Sequence, residues 1–364
     1  MATILSAARA AEPKRTFAEL DLDTKRFLAK TTVTLFAVLL VVAFLLPLLF
    51  MVVSSLKTEQ QIASQTILPR SPTTVEVTEG PFAGEAYDLY AVPTDDGLRS
   101  LLLVTKGREA STFVDPADPT VPIEWEGRWR TLEPALVLDP TFENFSEAWD
   151  ALDFLLVLRN TGIIAGLGMA GTVMASTLVA YGLSRFRMPA KRLILSSLLA
   201  TIILPPFVTL VPTYAVWLQV GWVGTWWPLI VPHFFGNAYN VFLLRQFFLG
   251  IPRDLDEASA IDGASPLRTL ITIILPQAKG AVLAVSLFHF FFAWNDFLSP
   301  LIYLAGERGK QPISVALYDF LGLYDTAIPL VQAGAMLSMA VPILVFLLLQ
   351  RIFLSGIDLS GSLK

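Results

Sequence analysis

Read for its alternation of apolar and polar positions, the chain breaks into long uncharged stretches separated by short polar connections. Thr31 to Val53 holds no Asp, Glu, Lys or Arg over 23 residues. At about 1.5 Å per helical residue that is enough to cross ~30 Å of hydrocarbon. Asn160 to Ser184 is a second such stretch, rich in the Gly, Ala and Ser that let helices approach closely. Leu193 to Leu244 runs 52 residues without a formal charge, room for two more spans and a turn. Trp217, Trp222, Trp226 and Trp227 mark that turn, amphipathic rings suited to the headgroup level. A fifth span is expected from about Ala281 to Leu304 and a sixth from Ala327 to Gln350. The pattern predicts an all-α membrane protein with a bundle of six spanning helices.

One segment has a shorter period. Tyr87 to Val92 and Leu98 to Thr105 read as strands joined by Pro93-Thr-Asp-Asp-Gly97, a turn of hairpin composition. Val121 to Trp125 adds a further strand. Asn144 to Leu156 reads as a helix, with Phe145, Trp149, Leu152 and Leu156 on one face. Residues 57–158 are therefore expected to form an extracytoplasmic segment, with a small β-rich insertion at about 71–138.

Charge orients the chain. The net charge is −5 and 16% of residues are charged, below the ~25% of soluble domains. Thr58 to Asp150 holds 17 acidic against 6 basic residues, or −11, which leaves the remainder at +6. Residues 1–30 carry Arg9, Lys14, Arg15, Lys25, Arg26 and Lys30, and the second span ends in Arg185, Arg187, Lys191 and Arg192. Under the positive-inside rule these basic flanks are cytoplasmic. Both termini follow: an N-terminal segment 1–30 before a first span at 31–56, and a tail at 355–364 after a membrane core at 159–354. The chain has no cysteine, so disulfides and thiolate sites are excluded.

The polar connection at 251–277 is built rather than slack. Asp254 with Glu257 three residues on has the spacing of a capping box. A short helix is expected to stop near Asp262, where Gly263 supplies a left-handed residue. Ser265-Pro266 then restarts a helix, serine as cap and proline in the first turn. Two short helices about a glycine elbow make a rigid knuckle.

At this point the chain resembles the permease subunits of bacterial ABC importers of type I. Glu257-Ala258-Ser259, Asp262-Gly263-Ala264 and Leu275-Pro276 are similar to their "EAA" signature. Asn160-Thr-Gly162, Tyr181-Gly-Leu-Ser-Arg-Phe-Arg187 and Trp294-Asn-Asp-Phe-Leu-Ser-Pro300 resemble the carbohydrate branch, that of the maltose-type second permease. The resemblance implies that Glu257, Ala258, Ser259, Asp262, Gly263 and Ala264 couple the chain to a separate ATPase. It also implies the partners: two ABC ATPase subunits holding ATP and Mg, a second homologous permease, an extracytoplasmic solute-binding protein and the lipid of a prokaryotic plasma membrane. No nucleic-acid partner is expected. The imported solute is expected to be a carbohydrate, with a polyol, a sugar phosphate or another compound as alternatives. Three departures stand out: Ser259 in place of alanine, Gly280 near where many members have a second proline, and the 71–138 insertion itself.

No site for chemistry accompanies these features. The phosphate-loop spacing G-x-x-x-x-G-K-[ST] is absent, and Gly306-Glu-Arg-Gly-Lys310 is spaced wrongly for it. No cofactor or metal is expected in the chain itself, and His233 and His289 read as packing residues. Intramembrane polar side chains mark functional candidates by default. Asn237, Asn240, Asn295 and Asp296 are accordingly the candidates for the substrate path. A membrane receptor with an outer sensing domain is the rival of a different class, but it would need neither the knuckle nor six spans.

Overall fold

The computed structural model describes residues 22–94, 97–324 and 327–361, in two compact units that divide after Val53. In the first lies most of α1 (Leu22–Ser55), whose stretch Thr24–Ser55 is long and apolar enough to cross a membrane. The helix begins before the uncharged stretch does, because Lys25, Arg26 and Lys30 are themselves good helix formers. Residues 1–21, most of the basic N-terminal segment, lie outside the described residues.

The second unit opens with α2 (Glu59–Ala63), closed by a capping box between Thr58 and Gln61. The β-rich insertion then spans β1 (Arg70–Pro72), β2 (Thr74–Glu76), β3 (Ala86–Thr94), β4 (Gly97–Thr105), β5 (Ala110–Asp115), β6 (Asp118–Glu126), β7 (Glu133–Pro134) and β8 (Leu136–Leu138). Six strands form an antiparallel sheet in the order β2-β3-β4-β5-β6, with β7 also pairing β3. Thr94 pairs with Gly97 across the expected hairpin, whose tip residues Asp95 and Asp96 lie outside the described residues. Leu101, Leu102 and Leu103 are all buried, so β4 is covered on both faces. Leu101 and Leu103 meet Tyr90, Val92 and Phe113, while Leu102 meets Val77 and Val114. The short β5 escaped the sequence reading because its apolar positions do not alternate over a useful length.

β1 and β8 pair with Arg70 opposite Leu138, so the insertion leaves where it enters. Gln61 Nε2 donates to Ser71 Oγ at 2.8 Å and to the Asp139 carbonyl at 3.0 Å, and Asn144 Nδ2 donates to the Ser55 and Lys57 carbonyls. The first two bonds fasten the stalk to α2, and the other two fasten the start of α3 (Glu143–Ala151) to Ser55 and Lys57. The single helix expected over 144–156 is in fact two: Asp153 adopts φ +47° and separates α3 from α4 (Phe154–Arg185). Phe145 and Leu152 share one apolar cluster as expected, but Trp149 packs instead against Phe154, the rings tilted by 37°.

α4 is the central helix. After it come α5 (Lys191–Ala200), α6 (Pro206–Val220), α7 (Trp227–Ile230) with a 3-10 turn at Val231–Phe235, and α8 (Ala238–Gly250). Next are α9 (Asp254–Ile261), α10 (Pro266–Thr269), a π-turn at Leu270–Ile274, and α11 (Leu275–Gln277). The chain closes with α12 (Lys279–Asn295), α13 (Leu298–Tyr303), α14 (Ile313–Leu323) and α15 (Ile328–Gly361). α4 packs on α8, α12 and the 3-10 turn. A Cβ on Gly168 would lie 3.2 Å from both His233 and His289, and one on Gly171 would run into Phe234 at 2.5 Å. The glycines of the second span do permit the close approach their composition implied.

Six continuous spans are not what the fold presents. Among the described residues three helices are long and apolar enough to cross: Thr24–Ser55, Phe154–Arg185 and Ile328–Gln350. Two further candidates are bent pairs, Lys191–Ile203 with Phe207–Val220 and Pro266–Gln277 with Lys279–Asn295. The region expected to hold span 4 is broken into α7, the 3-10 turn and α8, because Pro228 and Pro232 withhold amide donors and Gly236 adopts φ +86°. Span 5 also ends early, at Asn295 rather than Leu304.

Candidate functional site

The knuckle at 251–277 is assembled from local signals that the structure makes explicit. α9 ends with a Schellman arrangement: Gly263 N–H donates to the Ala260 carbonyl at 3.1 Å and Ala264 N–H to that of Ser259 at 3.0 Å. Gly263 holds φ +72°, with nothing within 4 Å of where a Cβ would stand. Its requirement is therefore purely one of backbone conformation. Ser265 accepts from Arg268 N–H at 3.4 Å and Pro266 occupies the first turn of α10, as the sequence indicates.

The N-terminal side differs from expectation. Arg253 is the N-cap, without a side-chain cap bond, and Asp254 is already helical. The amides of Asp256 and Glu257 both donate to the Arg253 carbonyl, which pulls Asp254 into the first turn and removes the capping box. Asp254, Asp256 and Glu257 instead place three carboxylates in that turn, where the helix dipole favours negative charge.

The signature residues divide by exposure. Glu257, Ala258, Asp262 and Gly263 are exposed and Ala264 is half-buried, whereas Ser259 is buried at 5% exposure. Ser259 turns inward onto Thr269 of α10. Two apolar side chains stand bare beside the exposed signature, Ile261 at 86% and Leu267 at 57%. The exposed surface thus combines carboxylates with unshielded aliphatic groups.

Beneath it the knuckle is seated on the bundle. Ile251, Leu270, Ile274 and Ala278 share one buried cluster with Tyr181 and Leu183 of α4, Leu244 and Phe248 of α8, and Val285 of α12. The π-turn before Pro276 follows from proline having no N–H, so the ladder widens and Leu275 N–H reaches the Leu270 carbonyl. The chain then turns by 84° into α12.

In the sequence Arg185 stands out as one of four cations after the second span and as part of the Tyr181–Arg187 motif, without a partner assigned. In the structure it is the last residue of α4, its Nη2 donates to the Ile251 carbonyl at 3.0 Å, and its Nε lies 3.3 Å from Asp256 Oδ2. A cavity of about 270 Å³ adjoins this pair, with Tyr181, Arg253, Glu257 and Thr269 among its walls. Spacing in the sequence could not join residues 185 and 256, because that contact exists only once α4 and α9 are packed.

The four path candidates do not share one wall. Asn237 is the N-cap of α8, its side-chain oxygen accepting from the Tyr239 and Asn240 amides at 3.0 and 3.2 Å. Asn240 is buried within α8. Asn295 is exposed, and its Nδ2 donates to the Phe291 carbonyl of its own helix at 2.8 Å. It borders an open cavity of about 430 Å³ together with Trp294, Phe297, Tyr318 and Ser338.

Asp296 is not within a helix, contrary to the continuous span expected there. It stands at the break between α12 and α13 with φ −65° and ψ 117°. Its Oδ1 accepts from Ser299 N–H at 3.3 Å, in the manner of an N-cap, and its carbonyl accepts from Ser314 Oγ at 2.7 Å. It borders a separate, enclosed space with Thr161 and His233. His233 and His289 pack edge to face, 4.4 Å between centroids.

Comparison with known proteins gives this geometry a context. A family profile described as "Binding-protein-dependent transport system inner membrane component" matches residues 162–358. The osmoprotective compounds uptake permease protein of Synechocystis sp. is 34% identical over 193 residues, 53% of this chain and 64% of that relative, just under two thirds of its length. The melibiose/raffinose/stachyose import permease protein of Bacillus subtilis is 31% identical over 231 residues, 62% of this chain and 82% of that one. Among solved structures, a chain of a bacterial ABC transporter involved in import of the acidic polysaccharide alginate aligns with a TM-score of 0.63 and 18% identity. It covers 92% of this chain and 99% of that one. That likeness is one of fold.

Proposed function

Because the chain belongs to the binding-protein-dependent transport system inner membrane component family, we propose that it is a multi-pass permease subunit of an ATP-driven carbohydrate importer. The relative named for melibiose, raffinose and stachyose import supports a carbohydrate. The relative named for uptake of osmoprotective compounds keeps a solute other than a carbohydrate, such as a polyol, as the second reading.

One observation carries the coupling role. The signature residues sit on a doubly capped elbow, with Glu257, Ala258, Asp262 and the bare Ile261 and Leu267 turned outward while Ser259 and Thr269 lock it from within. In this reading an ATPase subunit covers that surface. Closure of the ATPase pair on ATP displaces the knuckle, and α4, α8 and α12, which share its apolar cluster, follow. A binding protein delivers solute from outside to a path between this chain and a second permease, with Asn295 and Asp296 the better placed of the four candidates. The knuckle and both termini are cytoplasmic and the acidic insertion is outside. ATP and Mg belong to the ATPase.

The test is purification from native membranes followed by assay of the partner binding protein. A second permease, two ATPase subunits and a binding protein that takes up oligosaccharides are the expected result. A purified chain that carries none of these partners would refute the reading, and a binding protein selective for polyols would shift the solute alone.

A further inference from the structure

Arg185 and Asp256 support an inference that rests on the coupling role proposed above and deepens it. Arg185 closes α4, and its side chain is 6% exposed. The exposed Arg187 and Arg192, with Lys191, already supply positive charge to this turn, so orientation in the membrane does not need a further cation inside. A guanidinium is a planar fork with several fixed donors. Here it reaches both sides of the turn into the knuckle: Nη2 donates to the Ile251 carbonyl before it, and Nε faces Asp256 in the first turn of α9 after it.

The two groups depend on each other. Asp256 is 23% exposed as a side chain, but both its carboxylate oxygens are buried, and neither they nor Nε of Arg185 has a hydrogen-bond partner within the chain. At 3.3 Å without hydrogen-bond alignment the pair is held by charge. A buried carboxylate stripped of the one cation within ion-pair distance of it among the described residues is far less favourable than the same site with both charges removed. The same end of α4 is also gripped from α8, where Arg245 Nε donates to the Leu183 carbonyl at 3.4 Å.

We infer that Arg185 is a positioning residue that ties the end of α4 to the coupling knuckle through Asp256. Displacement of α9 then moves α4 directly instead of being taken up in the turn at Ile251–Arg253.

The test uses the complete importer in proteoliposomes and reads the factor by which the binding protein stimulates ATP hydrolysis. Arg185→Gln and Asp256→Asn are compared with the double variant, which keeps the shapes and removes both charges. A coupling free energy of the usual size predicts a loss of stimulation of about tenfold. The double variant should lose no more than Arg185→Gln alone, since both remove one interaction. Arg185→Lys, with charge but no fork, should fall between that variant and wild type.

Wild-type stimulation in an assembled double variant would overturn the inference, as would losses that multiply. Reduced assembly with full stimulation in what assembles would show the pair to be structural only, and would overturn it too. Should the single variants not assemble, the double variant is decisive by itself. Gly263→Val serves as control. If it keeps full stimulation, the coupling role fails; if it loses stimulation while the double variant does not, only the role of the pair fails.

Discussion

Ser259 and Thr269 meet hydroxyl to hydroxyl at 2.7 Å, both buried, and join α9 to α10 across the Gly263 elbow. The serine that departs from the EAA signature is therefore more than a small residue in a small site. It adds a bond that alanine could not make.

Ser259→Ala should cost about 0.5–1.5 kcal/mol, the net worth of one hydrogen bond. Thr269 would keep its second partner, the Ser265 carbonyl at 3.2 Å. Thr269→Val removes both bonds and leaves the Ser259 hydroxyl buried alone, about 1–3 kcal/mol. Thermal unfolding in detergent should rank wild type above Ser259→Ala and that above Thr269→Val; the reverse order would contradict the geometry.

Gly263 offers a test of backbone against bulk. With open space around a would-be Cβ, only the left-handed φ opposes substitution. Gly263→Val should misalign the knuckle at a local cost of ~1–2 kcal/mol. Asparagine tolerates this conformation, so Gly263→Asn should retain most activity. We expect Gly263→Val and Glu257→Lys to insert normally but to abolish transport and stimulated ATP hydrolysis. Equal activity of the valine and asparagine variants would remove the conformational argument.

Topology can be read chemically, since the natural chain has no cysteine. Leu98, 76% exposed on the insertion, is a suitable outer site. A cysteine there should react with an impermeant maleimide in intact cells. A cysteine at the exposed Ser265 should react only after permeabilisation. Labelling of Ser265→Cys from outside would invert the proposed orientation.

The insertion can be excised cleanly. Thr73 N–H donates to the Ala135 carbonyl at 2.7 Å, next to the β1–β8 pair. Residues 74–134 can therefore be replaced by a two-residue turn with little displacement of the stalk. If the acidic segment helps dock the binding protein, affinity for that protein should fall while the permease still assembles with its ATPase. Unchanged affinity would reduce the insertion to a packing element.

Asp296 separates two roles by a conservative pair. Asp296 stands at the break between α12 and α13 and borders the enclosed space with Thr161 and His233, so its carboxylate faces protein. Asp296→Asn keeps the acceptor for Ser299 N–H and should assemble normally, with transport lowered if the charge serves the path. Asp296→Ala loses the cap-like bond, about 1 kcal/mol, and should weaken assembly. Full transport by the asparagine variant would exclude a role for the charge.

What the sequence determined by itself is what near neighbours decide. The Gly263 elbow, the Ser265-Pro266 restart and the β3–β4 hairpin depend on residues within a few positions, so composition and spacing specified them. Hydropathy located the long apolar helices for the same reason, because lipid selects for composition. Only the tertiary structure decided what depends on distant partners. Asp296 is held outside its helix by Ser314, which lies on another element and bonds its carbonyl, and the short pieces of the span-4 region find their support against α4. Arg185 and Asp256, far apart along the chain, became a pair because the cluster of Tyr181, Ile251 and Leu270 brings those two helix ends together, and no local pattern encodes that meeting.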